Sequence, residues 1–345
     1  MPKMNVMDAV VRVMESEGVD VVFGVPGAAI LPLYKALAKS SIKHVSVRHE
    51  EGGTHAADGY ARVTGKVGVN IGTSGPAGTN MITGLYTAMA DSIPMICITG
   101  QAPTDVLHKE AFQAVDIVEI AKPVTKWAVQ VKETAQLPWA FRQAFRIAQE
   151  GRPGPVLIDL PLNVQKGPEV DWDPDWDRAL QFDRPTPNPA AIREAVAMLL
   201  QAERPMLMPG GGVILSEAAP ALMALAEYLQ VPVTPTYMGK GAIPEDHPLY
   251  AGIVGIQTSQ RYANALFLES DLILAVGARF ADRHTGDLDV YRGERTFIQV
   301  DVEPYQIGRV FPPDLGIVSD ARLALEAMLE VARDMTPARA QNAWT

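Results

Sequence analysis

Apolar and polar positions between Met4 and about Gln165 alternate between a helical period and short buried runs. Asp8–Glu17 has helical spacing, and Val21–Gly24 is an apolar run ending in the turn Gly24-Val25-Pro26-Gly27. A further helix follows, then a strand at Val45–Val47, a helix over Gly52–Val63 and a strand over Val67–Gly72. The turn Thr73–Gly78 leads into a helix towards Ala88, and Met95–Thr99 and Gly154–Asp159 read as buried strands. Residues 166–188, rich in proline and acids, break the rhythm and read as an ordered surface linker. The alternation resumes with a helix over Ala190–Gln201, strand Pro205–Met208 and the turn Gly210-Gly211-Gly212. Helix Glu217–Leu229, strand Val231–Pro235, helix Tyr262–Leu268 and strands Asp271–Val276 and Thr296–Asp301 complete it.

Strands separated by helices of this length predict an α/β protein of two doubly wound, mostly parallel open-sheet domains. The expected bounds are residues 1–165 and 189–333, with 334–345 as a further linker. A length of 345 residues suits two domains. The net charge of -10 argues against nucleic acid as a partner, and no apolar run reaches the ~18 residues of a membrane span. The single cysteine, Cys97, excludes a disulfide framework and makes a reducing cytoplasm the expected compartment.

Glycine turns follow predicted strands at Gly24–Gly27, Gly72–Gly78 and Gly210–Gly212, where open α/β sheets collect ligands. Each could equally serve only as a tight turn, and neither common glycine-rich phosphate fingerprint is present. Glu50 falls between a strand and a helix with an apolar face. A half-desolvated carboxyl there suits proton exchange, although an acid at that position also suits the helix dipole. His49 and His55 have no companions at zinc spacing and read as structural. Lys126 is either a charge that steers substrate or an exposed strand lysine.

Several segments together resemble the acetolactate synthase and glyoxylate carboligase branch of thiamine-diphosphate enzymes. They are Phe23–Ala28, Arg48-His49-Glu50, Gly72–Pro76, Asp91–Pro94, Ile98–Gln101, Ala111–Gln113, Val115–Ile117, Gly151–Pro155, Met238-Gly239 and Gly277–Phe280, with the triple glycine. His108–Glu110, Arg283–Gly286, Gln306–Val310 and Pro313–Asp320 look most like the glyoxylate carboligases within it. That resemblance implies condensation of two glyoxylates to tartronate semialdehyde and CO₂, with acetolactate synthesis or a non-catalytic truncated subunit as alternatives. It implies Glu50 as the partner of the cofactor's pyrimidine, with Val25, Pro26, Thr73, Pro76 and Asn80 lining that side. Phe112 and Gln113 would stand beside the reacting carbons, or else form a loop-anchoring pair.

A bound FAD without redox work is implied at Arg152, Gly210, Gly211, Gly212, Met238, Gln257, Thr258, Arg279, Arg283, Asp301 and Asp320. Main-chain N–H groups of the triple glycine would take its pyrophosphate; the alternative is a nucleotide fold without ligand. Glyoxylate carboligases of this type usually carry valine where Glu50 stands. The branch's third domain, which binds the diphosphate and Mg²⁺ through a Gly-Asp-Gly segment, has no counterpart in the sequence. Metal ligands are therefore expected outside this chain, which is expected to be inactive alone and to work within a homodimer or homotetramer.

Overall fold

In the computed structural model, which describes residues 3–173, 178–179, 182–256, 260–341 and 344, the apolar runs become strands buried along most of their length. The chain divides into two compact units, Met1–Phe182 and Asp183–Thr345. The first runs β1 (Lys3–Met4), α1 (Val6–Ser16), β2 (Val21–Gly24), α2 (Leu31–Leu37), β3 (Lys43–Ser46), α3 (Glu50–Thr64) and β4 (Gly68–Gly72). It continues with α4 (Pro76–Asp91), β5 (Met95–Gln101), α5 (Ile117–Ala121), β6 (Trp127–Gln130), α6 (Leu137–Gln149), β7 (Pro155–Pro161), α7 (Leu162–Gln165) and β8 (Val170–Asp171). The helices start where the sequence supplies caps: Asn5 Oδ1 accepts from Met7 N at 3.0 Å, and Pro76 opens α4.

Six strands form one sheet in the order β3-β2-β4-β5-β7-β6, and every pairing is parallel. Alternate side chains along β4, β5 and β7 enter opposite cores. Val69, Ile71, Ile96 and Ile98 pack with α1, α2 and α6, whereas Met95, Cys97 and Leu157 pack with α3, α4 and α5. The chain leaves β2 towards β3 on one side, and leaves β4 towards β5 on the other. The carboxyl ends of β2 and β4 are therefore the switch point, where a crevice opens. Parts of the expected surface linker belong to this unit, since β8 pairs antiparallel with β1 and Trp172 is buried in the core.

The second unit runs α8 (Pro189–Gln201), β9 (Pro205–Pro209), α9 (Gly211–Leu215), α10 (Ala219–Leu229), α11 (Arg261–Glu269) and β10 (Leu272–Val276). Then come α12 (Asp282–Thr285), α13 (Leu288–Arg292), β11 (Thr296–Asp301), β12 (Leu315–Val318) and α14 (Ala321–Met335). Its sheet is parallel, in the order β12-β11-β10-β9. The strand expected over Val231–Pro235 is reduced to bridges from Val233 to Leu207 and Tyr250. Pro232 and Pro235 have no N–H, so a continuous ladder cannot form there. The helix expected over Glu217–Leu229 begins only at Ala219, because Glu217 adopts a left-handed φ of 54°.

The end of the chain departs from the linker expectation. Arg339 donates from Nη2 to Leu200 O at 2.8 Å, and Trp344 Nε1 donates to Pro205 O at 2.8 Å. These contacts hold the tail against the second unit. Among the described residues, no helix is long and apolar enough to cross a membrane.

Candidate active site

At the switch point of the first unit the two glycine turns touch. Val25 N donates to Ile71 O at 3.1 Å, and Ala29 N donates to Thr73 Oγ1 at 3.3 Å. Val25 and Thr73 are half-buried, while Pro26 and Pro76 are exposed. Gly75, at φ 60°, carries the turn from β4 into α4, and a Cβ there would lie 2.7 Å from Gln113 O. The turn after β4 is thus packed directly on the loop of Phe112 and Gln113.

Glu50 is the first residue of α3, and its half-buried carboxylate faces α4. Asn80 Nδ2 donates to Glu50 Oε2 at 3.0 Å. Five of the expected residues, Val25, Thr73, Asn80, Glu50 and Gln113, are therefore gathered at the carboxyl ends of adjacent strands. Burial, with the charge of Glu50 adding to it, raises the pKa of Tyr34 well above the usual phenol range. Phe112 is 84% exposed. Gln113 holds a left-handed φ of 55°, and its Oε1 accepts from Ser74 Oγ at 3.4 Å. Among the described residues its Nε2 has no partner and is available as a donor.

Sequence reasoning passed over a buried polar group behind this loop. Asp159 is 0% exposed and accepts from Thr99 Oγ1 at 2.7 Å, Gln130 Nε2 at 2.8 Å and Gln101 Nε2 at 3.2 Å. Gln101 Nε2 also donates to Val115 O at 2.9 Å, tying the 111–116 loop to the sheet. Burial pushes the Asp159 carboxyl up to about 6, against the lowering effect of its donors. The one signal that could have found it is a polar residue inside an otherwise apolar buried strand.

His49 caps α3, its Nδ1 accepting from Glu51 N at 3.2 Å, and His55 lies 3.9 Å from Glu51, in keeping with structural roles. Lys126 Nζ donates to Glu150 O at 2.6 Å and so closes the carboxyl end of α6.

The second unit has its own switch point. The chain leaves β9 for the Val233 bridge on one side, and β10 lies on the other. Here Gly210 N donates to Val276 O at 2.8 Å and Gly212 N to Gly277 O at 3.1 Å. This corrects the expected pyrophosphate cradle, because two of its three N–H groups are already bonded to the neighbouring strand end. Of the three, only the N–H of Gly211 has no partner among the described residues. Met238 sits against Gly211, where a Cβ would lie 3.3 Å from its own Cβ. The side chains of Arg279 and Arg283, beyond the end of β10, have no partner among the described residues.

Asp301, at the end of β11, accepts from Glu303 N at 2.9 Å. Asp320 caps α14 and also takes Ser216 Oγ at 2.8 Å and Arg184 Nη1 at 3.0 Å, so its carboxylate is committed to the fold. Arg152 belongs to the first unit, where it donates to Ser92 Oγ at 2.8 Å and Met89 O at 3.1 Å. Gln257 and Thr258 lie outside the described residues. No group of three or more His, Cys, Asp or Glu able to hold a metal ion occurs among the described residues.

Residues 4–120 match the family model for the thiamine pyrophosphate enzyme N-terminal TPP binding domain, and residues 192–328 match that for the central domain. The chain is 54% identical to a glyoxylate carboligase of Escherichia coli O157:H7, over 98% of its own length and 57% of that protein's. It is 43% identical to a probable acetolactate synthase large subunit of Methanocaldococcus jannaschii, over 93% of its own length and 55% of the relative's. An acetolactate synthase large subunit of Corynebacterium glutamicum is 43% identical over 96% of this chain and 53% of its own. The chain spans a little over half the length of the curated relatives it matches.

Proposed function

We propose, starting from a chain that belongs to the thiamine pyrophosphate enzyme family, that the protein joins two 2-keto acids with loss of CO₂. The substrate proposed as both donor and acceptor is glyoxylate, giving tartronate semialdehyde and CO₂. The observation that carries this reading is the Glu50–Asn80 pair at the switch point of the first unit. Oε1 of Glu50 has no partner among the described residues, and a carboxyl with one oxygen oriented and one open fits a pyrimidine ring nitrogen.

When bound, thiamine diphosphate supplies the nucleophilic carbon and the electron sink for breaking and making carbon–carbon bonds. The protein's residues do the rest. Glu50 would hold the pyrimidine N1′ through its open oxygen, and Asn80 fixes the plane of the carboxylate. Gln113 would donate from Nε2 to a substrate oxygen, and the exposed Phe112 would stand beside the reacting carbons. No group of side chains among the described residues fits Mg²⁺.

FAD is proposed in the second unit, beside the side chains of Arg279 and Arg283 and the N–H of Gly211, none of which has a partner among the described residues. It would have no redox work there. A homodimer or homotetramer in the cytoplasm completes the proposal, because an exposed aromatic such as Phe112 suits a covering partner surface.

Acetolactate synthesis from pyruvate is favoured as a second reading by Glu50, a position where glyoxylate carboligases of this type usually carry valine. The test is CO₂ release and product analysis with glyoxylate and with pyruvate, using the assembled enzyme with thiamine diphosphate, Mg²⁺ and FAD. Tartronate semialdehyde as main product supports the first reading. Acetolactate as main product replaces it with the second, and turnover of neither contradicts both.

A further inference from the structure

We infer that Asn70 is a positioning residue for Glu50, pinning the first turn of α3 to strand β4 so that the carboxyl leaves from a fixed main chain. This rests on the reading of Glu50 given above.

Strand β4 is buried at every residue, and Asn70 is its one polar side chain, 0% exposed. On the face towards α3 the strand otherwise shows only Gly68 and Gly72. A Cβ at Gly68 would overlap Ala57 O, so helix and strand are there in main-chain contact. Asn70 fits beneath the helix only because α3 carries Gly53 at that point; a Cβ on Gly53 would overlap Asn70 Oδ1. From this slot Asn70 Nδ2 donates to Glu50 O at 3.0 Å and to Thr54 Oγ1 at 2.8 Å. Thr54 Oγ1 donates in turn to Glu50 O at 2.9 Å. Gly84 of α4 packs against Thr54 from the other side, where its own Cβ would lie 2.6 Å from Thr54 Cβ.

The arrangement is an expensive way to fill space. Asn70 Oδ1 is buried without a hydrogen-bond partner, a standing destabilisation that an apolar side chain of the same size would avoid. What asparagine adds is the pair of donor bonds into the turn that bears Glu50. Three elements then fix one residue: β4 holds its carbonyl through Asn70, α3 holds it through Thr54, and α4 holds its carboxylate through Asn80. Rigid support of this kind keeps a reacting group within the few tenths of an ångström that its function tolerates.

The test follows the side-chain amide of Asn80 by nitrogen-15 NMR in the 345-residue chain, with Glu50→Ala marking its signal without the carboxylate. Asn70→Leu keeps the branched shape with somewhat more volume and removes both donor bonds. It is expected to move the Asn80 amide at least halfway towards its position in Glu50→Ala. Val69→Ala, a cavity on the opposite face of the same strand, is expected to leave that signal in place. Should Asn70→Leu not fold, Thr54→Val removes a shared partner and is read in the same way. An Asn80 amide unmoved in the folded Asn70 or Thr54 variant overturns the inference. A Glu50→Gln variant that, in the assembled enzyme, exchanges the hydrogen at the cofactor's C2 carbon as fast as wild type overturns instead the reading of Glu50, whatever the Asn70 variant shows.

Discussion

Asn80 Nδ2 lies 3.0 Å from Glu50 Oε2, joining the amino-terminal ends of two helices that leave different strands of one sheet. The contact exists because β3 and β4 both end at the same edge, with β2 between them. A hydrogen bond to a charged group contributes ~1.5–3 kcal/mol, so Asn80→Leu should lower turnover about tenfold or more by freeing the carboxylate to rotate. Steady-state kinetics of the assembled enzyme check this, and an unchanged kcat/KM would remove Asn80 from the site.

Asp159 gives the first unit a pH-dependent stability. Its carboxyl is pushed up to about 6 from the ordinary aspartate value of 3.8, so the folded state favours the protonated form. The stability it contributes is fully present below about pH 3.8 and is lost as pH rises through about 6. A carboxyl held that far above its ordinary value corresponds to a change on the order of 3 kcal/mol. Urea unfolding between pH 4 and 7 should show this slope in wild type, and Asp159→Asn should flatten it. An equal slope in both proteins would place its origin in another group.

The glycine turn of the second unit predicts unequal effects from equal substitutions. A Cβ at Gly210 would overlap Gly277 O, whereas one at Gly211 meets only Met238, with its Cβ at 3.3 Å. Gly210→Ala should destabilise by about 1–3 kcal/mol or more through overpacking, and Gly211→Ala should stay within about 1 kcal/mol. Denaturant midpoints compare them directly; similar losses at both positions would contradict this packing.

Arg279 and Arg283 stabilise nothing among the described residues, so their replacement tests ligand binding cleanly. Each change to alanine should leave unfolding free energy within about 0.5 kcal/mol and weaken FAD binding ~10-fold or more. Flavin absorbance after gel filtration reads the second effect. Full retention of flavin in the double variant would move the flavin site away from these arginines.

The parallel sheets were legible because runs such as Met95–Ile98 and Leu272–Val276 are continuous and apolar, as fully buried strands are. Strand β6 was not, since Trp127–Gln130 is short and only half-buried, with no alternation to mark it. The Val231–Pro235 run looked like a strand by composition, but its prolines remove the donors that a ladder requires. At the site, Glu50 stood out by its place between a strand and a helix, and Gln113 only through the family resemblance. Their supports did not, because Asn70 and Asp159 act across 20 and 29 to 60 residues of chain, a separation that only the fold closes. The triple glycine misled for a related reason: its N–H groups meet a strand end 66 residues away in sequence, which a local motif cannot reveal.

Whether Glu50 acts on the pyrimidine of thiamine diphosphate can be read from hydrogen–deuterium exchange at the cofactor's C2 carbon. The measurement uses the assembled enzyme carrying wild-type Glu50, Glu50→Gln or Glu50→Val. Glutamine keeps the shape and can still take the bond from Asn80, but it cannot exchange a proton. Exchange should be slowed by ~10²–10⁴ in both variants, the usual scale for a positioned acid–base group. Equal exchange rates in all three proteins would contradict that role, leaving Glu50 as a helix-terminal acid held in place by Asn80.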